Sequence, residues 1–219
     1  KPPTGEVIAP RDRFGIRPLY YWSAPDGALC FASEIKQFTA APGWTGAVNA
    51  ERASRFLDTG LTDDGDETLF DRVFHVGPGE LARVPISTFQ VRPDGRLPVE
   101  RWYSLQPAPF TGSFEDASQE CRRLLTDSVR LMLRSDVPVG SCLSGGIDSS
   151  SIVCLSHQLL TPQGATRQDR TFSAVAPSTP IDERGWIEDV VRTTGVDAYF
   201  VAPAAADLAG GAARLAWHP

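Results

Sequence analysis

Residues 141–153 read SCLSGGIDSSSIV, seven serines and glycines set between two apolar flanks. The preceding VPVGSCL is strand-like, and SSSIVCLSHQLL within and after the run reads as a helix. The alternation continues with TFSAVA as a strand, ERGWIEDVVRTT as a helix stopped by Gly195, and VDAYFVA as a strand. Strand and helix alternating in this way predict βαβ units and a doubly wound parallel α/β sheet. The serine–glycine run is then the turn from the first parallel strand into its helix. Open α/β sheets bind ligands at that end.

The residues of this turn suit an anion. Gly145 and Gly146 permit positive φ and let the backbone approach a ligand without a Cβ in the way. The next helix starts near Asp148, Ser149 and Ser150, and its first amides have no intrahelical partner. Those amides and the positive end of the helix dipole form a cradle for phosphate, with hydroxyl donors from Ser144, Ser149 and Ser150. A carboxylate alone would repel phosphate, so the natural task of Asp148 is to hold Mg²⁺ bridging phosphate oxygens. The plainer alternative is a flexible turn in which Asp148 only caps the helix; the strand–turn–helix setting favours phosphate. No lysine follows the glycines as in a Walker A loop, and the glycine spacing is not that of a dinucleotide fingerprint.

The first hundred residues follow another pattern. GEVIAPRD and LYYWSA read as strands, and PDG at residues 25–27 turns the chain into ALCFAS, making a hairpin. Ser33 is placed to cap a short helix through EIKQF, and Asn49 a longer one ended by Gly60. ELARVP, STFQVRP and PVERWYSL are three further extended pieces. The expectation is an antiparallel sheet with helices on its outer side, an α+β region. QPAPFTG supplies a linker, dividing the chain into residues 1–106, a linker at 107–112 and residues 113–219. Ser113 and Asp116 make a capping-box-like start to a helix. Phe114, Ala117, Cys121, Leu124, Leu125, Ser128 and Met132 share one face of it.

Composition removes several functions. The net charge of -6 advertises no basic surface for nucleic acid or anionic lipid. No apolar run approaches the roughly 20 residues that span a bilayer. Cys30, Cys121, Cys142 and Cys154 are far apart with no CxxC pair, and read as buried small hydrophobes in a reducing cytoplasm. His75, His157 and His218 have no partner constellation, and none is assigned to catalysis. Arg11, Asp12, Arg13 and Arg17, around Gly15 and Pro18, either handle a small-molecule substrate or serve architecture as an ion-pair network or by packing against the second domain. Architecture is favoured. Asp182 and Glu183 are expected to cap a helix.

LSGGIDSS resembles the PP-loop of the N-type ATP pyrophosphatases, which cleave ATP between its α and β phosphates. The longer run LLTDSVRLMLRSDVPVGSCLSGGIDSS resembles, over more than twenty consecutive residues, the glutamine-hydrolysing asparagine synthetases. RDRFGIRPLYY and CFASEIKQF are similar to the late part of the class II glutamine amidotransferase domain, whose RDxxGxxPL element is shared across that class. VFHVGPGELARV and RWYSL resemble the domain's closing strands. The resemblance implies two partial domains: an Ntn-hydrolase-like αββα domain and a PP-loop domain. Lys1 at the start and LAWHP at the end lead us to expect an internal piece of a longer protein.

That resemblance implies a reaction. An acceptor carboxylate, in this family that of aspartate, attacks the α-phosphorus of ATP; pyrophosphate leaves, and ammonia drawn from glutamine attacks the acyl-adenylate to give asparagine and AMP. Ser144, Gly145, Gly146, Asp148, Ser149 and Ser150 would bind the phosphates with Mg²⁺ at Asp148. Leu143 and Ala174, where a larger aliphatic residue is commoner, would meet the adenine through backbone atoms. The cofactors are thus ATP and Mg²⁺, the partners small molecules, the location cytoplasmic; a homodimer stays open for the full-length protein. The family's glutaminase uses an N-terminal cysteine, and none of the four cysteines occupies that place, so this chain alone is expected to hydrolyse no glutamine and make no asparagine. β-Lactam synthetases and lasso-peptide cyclases share the plan with an internal amine as nucleophile. A non-catalytic ATP-binding remnant remains a reading of another class. A tRNA-modifying pyrophosphatase ranks last, since it explains neither RDRFGIRPLYY nor the acidic balance.

Overall fold

A computed structural model describes residues 5–62, 64–87, 90–161 and 170–218. It divides into two compact units, Lys1–Ala108 and Pro109–Pro219.

The first unit holds strands β1 (Glu6–Pro10), β2 (Tyr20–Ser23), β3 (Leu29–Ala32), β4 (Val73–His75), β5 (Glu80–Pro85) and β6 (Val99–Arg101), with helix α1 (Ala50–Thr59). The expected hairpin forms: Tyr20 lies opposite Ala32 and Ser23 opposite Leu29, across a turn in which the Gly27 N–H donates to the Ala24 carbonyl at 2.9 Å. Instead of one sheet there are two three-stranded antiparallel sheets, ordered β1-β5-β6 and β3-β2-β4. The reason lies in β2, whose adjacent Tyr21 and Trp22 point to opposite faces and are both buried. Tyr21 joins Phe74, Val76, Ala82, Val84 and Leu97 in a core that draws on both sheets. Trp22 joins Ala24, Ala32, Phe38 and Val73 in a second core on its other side.

Other expectations shift in detail. STFQVRP does not continue as a strand: residues 90–92 belong to none, and 88–89 lie outside the described residues. EIKQF forms a 3₁₀ turn, Ile35–Ala40, started from Glu34 rather than Ser33; the Gln37 side-chain oxygen accepts the Ser33 and Glu34 N–H groups at 3.0 and 3.2 Å. Asn49 caps α1 as expected, accepting the Arg52 N–H at 3.1 Å, and Gly60 ends it at φ +72°.

The second unit runs α2 (Phe114–Met132), β7 (Gly140–Cys142), α3 (Ile147–Leu160), β8 (Arg170–Ala174), α4 (Arg184–Thr194), β9 (Asp197–Val201) and α5 (Ala205–Trp217). The Ser113–Asp116 capping box is present, and Gly195 ends α4 at φ +73°. β7, β8 and β9 are parallel and adjacent in chain order. Sequential order with right-handed crossovers puts α3 and α4 on one face. Their Val153 and Ile187 pack there with Leu143, Val175 and Val196. Thr171 and Ser173 of β8 are buried in phase with Val175, while Phe172 stacks on Tyr199 at 5.4 Å with both rings about half exposed. α3 and α4 therefore share one face of the described sheet.

The α2 stripe is another departure. Only Val129 of this helix is fully buried; Ala117 and Leu125 are half-buried, and Phe114, Cys121, Leu124, Ser128 and Met132 are exposed. Periodicity marks a face but does not supply a partner for it. The cysteines correct their expectation as well: Cys121 and Cys142 are exposed, and Cys30 and Cys154 half-buried.

Candidate functional site

The site is assembled where β7 ends. Leu143 is buried, its N–H donating to the Phe172 carbonyl at 3.0 Å and its carbonyl accepting the Ser173 hydroxyl at 2.7 Å. The chain then leaves the sheet through Ser144. Its N–H donates to Ser149 Oγ at 3.2 Å, and its own hydroxyl lies 3.1 Å from the same oxygen. Ser149 Oγ in turn donates to the Gly146 carbonyl at 3.2 Å. The two serines thereby staple the turn across its mouth.

The two glycines have different jobs. Gly145 sits at φ +83°, and a Cβ there would lie 2.9 Å from Trp186 Cβ and 3.2 Å from the Glu183 carbonyl oxygen. Left-handed backbone and close approach by the start of α4 both require glycine. Gly146 has ordinary extended geometry, φ -69° and ψ 162°, and its Cβ would meet only Ser144 Oγ at 3.6 Å. It is the N-cap of α3 with no side chain to cap the helix. The Ser150 N–H makes the first helical bond, to the Gly146 carbonyl at 3.0 Å. The N–H groups of Gly145, Gly146, Ile147, Asp148 and Ser149 have no hydrogen-bond partner among the described residues. Asp148 is exposed in the first turn of α3, with no ion pair or hydrogen bond to its carboxylate among those residues.

Ser144, Gly145, Gly146, Asp148, Ser149 and Ser150 thus share one turn. Leu143 sits immediately before it, and Ala174 ends the neighbouring strand with its residue exposed. Among the described residues no three His, Cys, Asp or Glu side chains gather as a metal cage. A lone carboxylate beside open amides fits an ion that takes its remaining ligands from phosphate and water. Sequence reading passed over Trp186, which backs Gly145, and gave Ser173 no role of its own in the site. The signal for Ser173 was its phase, since Thr171, Ser173 and Val175 alternate onto the covered face. Asp182 does cap, its Oδ1 accepting the Ala176 and Arg184 N–H groups at 3.3 Å each, whereas Glu183 makes no side-chain cap bond.

The charged cluster of the first unit is built on backbone. Asp12 Oδ1 accepts the Phe14 and Ile16 N–H groups at 3.2 and 3.0 Å, and Oδ2 accepts that of Arg17 at 2.8 Å. The Arg17 and Ile16 amides, foremost, hold the Asp12 carboxyl below its usual range. Arg11 donates to the Val76 and Gly15 carbonyls at 2.9 and 3.0 Å, and Arg13 lies over the Tyr103 ring at 5.5 Å. Architecture is indeed the role the geometry shows, but the expected ion-pair network is not there: among the described residues none of Arg11, Asp12, Arg13 and Arg17 pairs with another. No helix among these residues is long and apolar enough to cross a membrane.

Comparison with known proteins agrees with this division. Residues 3–93 match the family described as glutamine amidotransferase domain, and residues 120–218 the one described as asparagine synthase. The chain is 32% identical over 192 residues to asparagine synthetase [glutamine-hydrolyzing] 1 of Bacillus subtilis, covering 86% of this chain and 29% of that protein. Asparagine synthetase [glutamine-hydrolyzing] 3 of the same organism is 29% identical over 199 residues, covering 86% and 31%. Amidase chyE of Penicillium rubens is 30% identical over 211 residues, covering 93% and 28%. The chain therefore spans under a third of the length of each of these relatives. With both domain types in one chain and synthetases matched across their junction, the chain belongs to the asparagine synthetase family.

Proposed function

We infer that the 144–150 turn binds the phosphates of ATP, and that the whole protein is an ATP-dependent amide-forming ligase. It adenylates the side-chain carboxylate of aspartate and passes ammonia from glutamine to it, giving asparagine, AMP and pyrophosphate. The single observation carrying the nucleotide reading is the row of amides from Gly145 to Ser149 without protein partners, at the start of a helix that follows a parallel strand. Family membership supports the reaction and, with it, glutamine and aspartate as substrates. In this reading residues 1–106 form the amidotransferase region and residues 113–219 the ATP-binding region, joined by 107–112.

Phosphoryl chemistry of this type asks for alignment and charge neutralisation more than for covalent help. The amides and the Ser144, Ser149 and Ser150 hydroxyls hold the leaving pyrophosphate. Leu143 and Ala174 meet the adenine through backbone atoms. Asp148 would hold Mg²⁺, which when bound neutralises charge on the phosphates. Titration calorimetry with ATP tests this. Asp148→Ala is expected to weaken binding about tenfold or more in Mg²⁺, with the difference vanishing in EDTA. Equal affinity of wild type and variant in Mg²⁺ would overturn the assignment.

A further inference from the structure

The β7–β8 ladder stops one rung early. In a parallel pair, the N–H and C=O of one residue bond to the two residues flanking its opposite number. Leu143 extends the register of Gly140 with Arg170, Ser141 with Thr171 and Cys142 with Phe172, so its opposite number is Ser173. Its N–H donates to the Phe172 carbonyl at 3.0 Å, as that geometry requires. The companion bond, from the Ala174 N–H to the Leu143 carbonyl, is not formed. That carbonyl accepts the Ser173 hydroxyl at 2.7 Å instead. The next amide along, Val175, faces the other neighbour and donates to the Val201 carbonyl at 2.8 Å. The Ala174 N–H is left without a partner among the described residues, at the exposed last position of β8.

We propose that Ser173 is a positioning residue: by capturing the Leu143 carbonyl it keeps the Ala174 N–H open as a donor for an acceptor nitrogen on a purine edge. Ser173 is 3% exposed, so its hydroxyl needs a partner inside the protein and holds the carbonyl firmly. The Ala174 N–H, at an exposed residue, is solvated when no ligand is present and stays available at little cost. The 144–150 turn is held by its own serines, so this bond bears on the Ala174 donor and not on the phosphate cradle. This rests on the nucleotide reading above.

Amide hydrogen exchange on the ligand-free protein tests the device without any nucleotide. In wild type the Ala174 amide is expected to exchange freely while those of Leu143 and Val175 are protected. In Ser173→Ala the Leu143 carbonyl is released, the rung closes, and Ala174 exchange slows about tenfold or more. Binding then separates base from phosphate. Ser173→Ala is expected to weaken ATP about tenfold and leave inorganic pyrophosphate unchanged. An Ala174 amide as protected as Val175 in wild type overturns the proposal, even if the variant fails to fold. So does unchanged exchange in a folded Ser173→Ala, or equal weakening of ATP and pyrophosphate. A wild type that binds no ATP removes the nucleotide reading, while the exchange contrast still decides whether Ser173 governs the rung.

Discussion

The turns at residues 11–18 and 144–150 are built from the same parts: a glycine at positive φ, consecutive backbone amides and one aspartate three residues from that glycine. In the first, Asp12 precedes Gly15 and its carboxylate gathers the amides of Phe14, Ile16 and Arg17. In the second, Asp148 follows Gly145, and the amides about it have no partner among the described residues. Asp12 reaches forward to amides two to five residues later, while no backbone amide donates to the Asp148 carboxylate among the described residues. The Asp12 carboxylate closes its turn on itself; the Asp148 carboxylate takes no amide among the described residues and leaves them for an anion from elsewhere. What the carboxylate binds, rather than composition, separates a structural turn from a receptive one.

The largest expected effect is that of Gly145→Val. A side chain there meets left-handed backbone and the Trp186 Cβ at 2.9 Å, so a loss of about 2–4 kcal/mol is expected in urea unfolding. A loss within about 0.5 kcal/mol, the usual range for exposed substitutions, would show that the turn does not need its glycine. Next comes Asp12→Ala, which strands three amides in the closed turn and is expected to lower the melting temperature. The Asp12 carboxyl sits below its ordinary 3.8 in the folded chain, so its stabilisation is present above that value and lost as pH falls through the lower, folded one. Thermal melts across that acid range should flatten in Asp12→Ala; an unchanged pH profile would mean the carboxylate does not hold the turn.

Smallest in stability, and sharpest for the comparison, is Gly146→Asp. Its backbone is ordinary and its Cβ space open, so the new carboxylate can cap α3 and give the second turn the internal anion that Asp12 supplies to the first. Stability is expected to rise by a few tenths of a kcal/mol while Mg·ATP affinity falls about tenfold or more. Undiminished ATP binding would remove these amides from the site.

Much of this was legible in residue order. Asn49, Ser113, Gly60 and Gly195 mark helix ends through local rules, and the structure places a helix end at each. The alternation after residue 113 announces parallel strands, and three of them form. Other features were not legible. Tyr21 and Trp22 are buried on opposite faces of β2, which divides one expected sheet into two. The apolar stripe of α2 is real in sequence, yet most of it stays exposed among the described residues. A stripe states a preference for burial, and only another element can satisfy it.

By itself, then, the order of residues determined the caps, the alternation and the placing of Asp148 after its glycines, because each depends on neighbours within a turn or two. Tertiary structure decided that α4 backs Gly145 and that the Leu143 carbonyl goes to a hydroxyl 30 residues away. Those outcomes depend on which strands lie side by side, and strand adjacency is settled by the packing of the sheet and its helices as a whole.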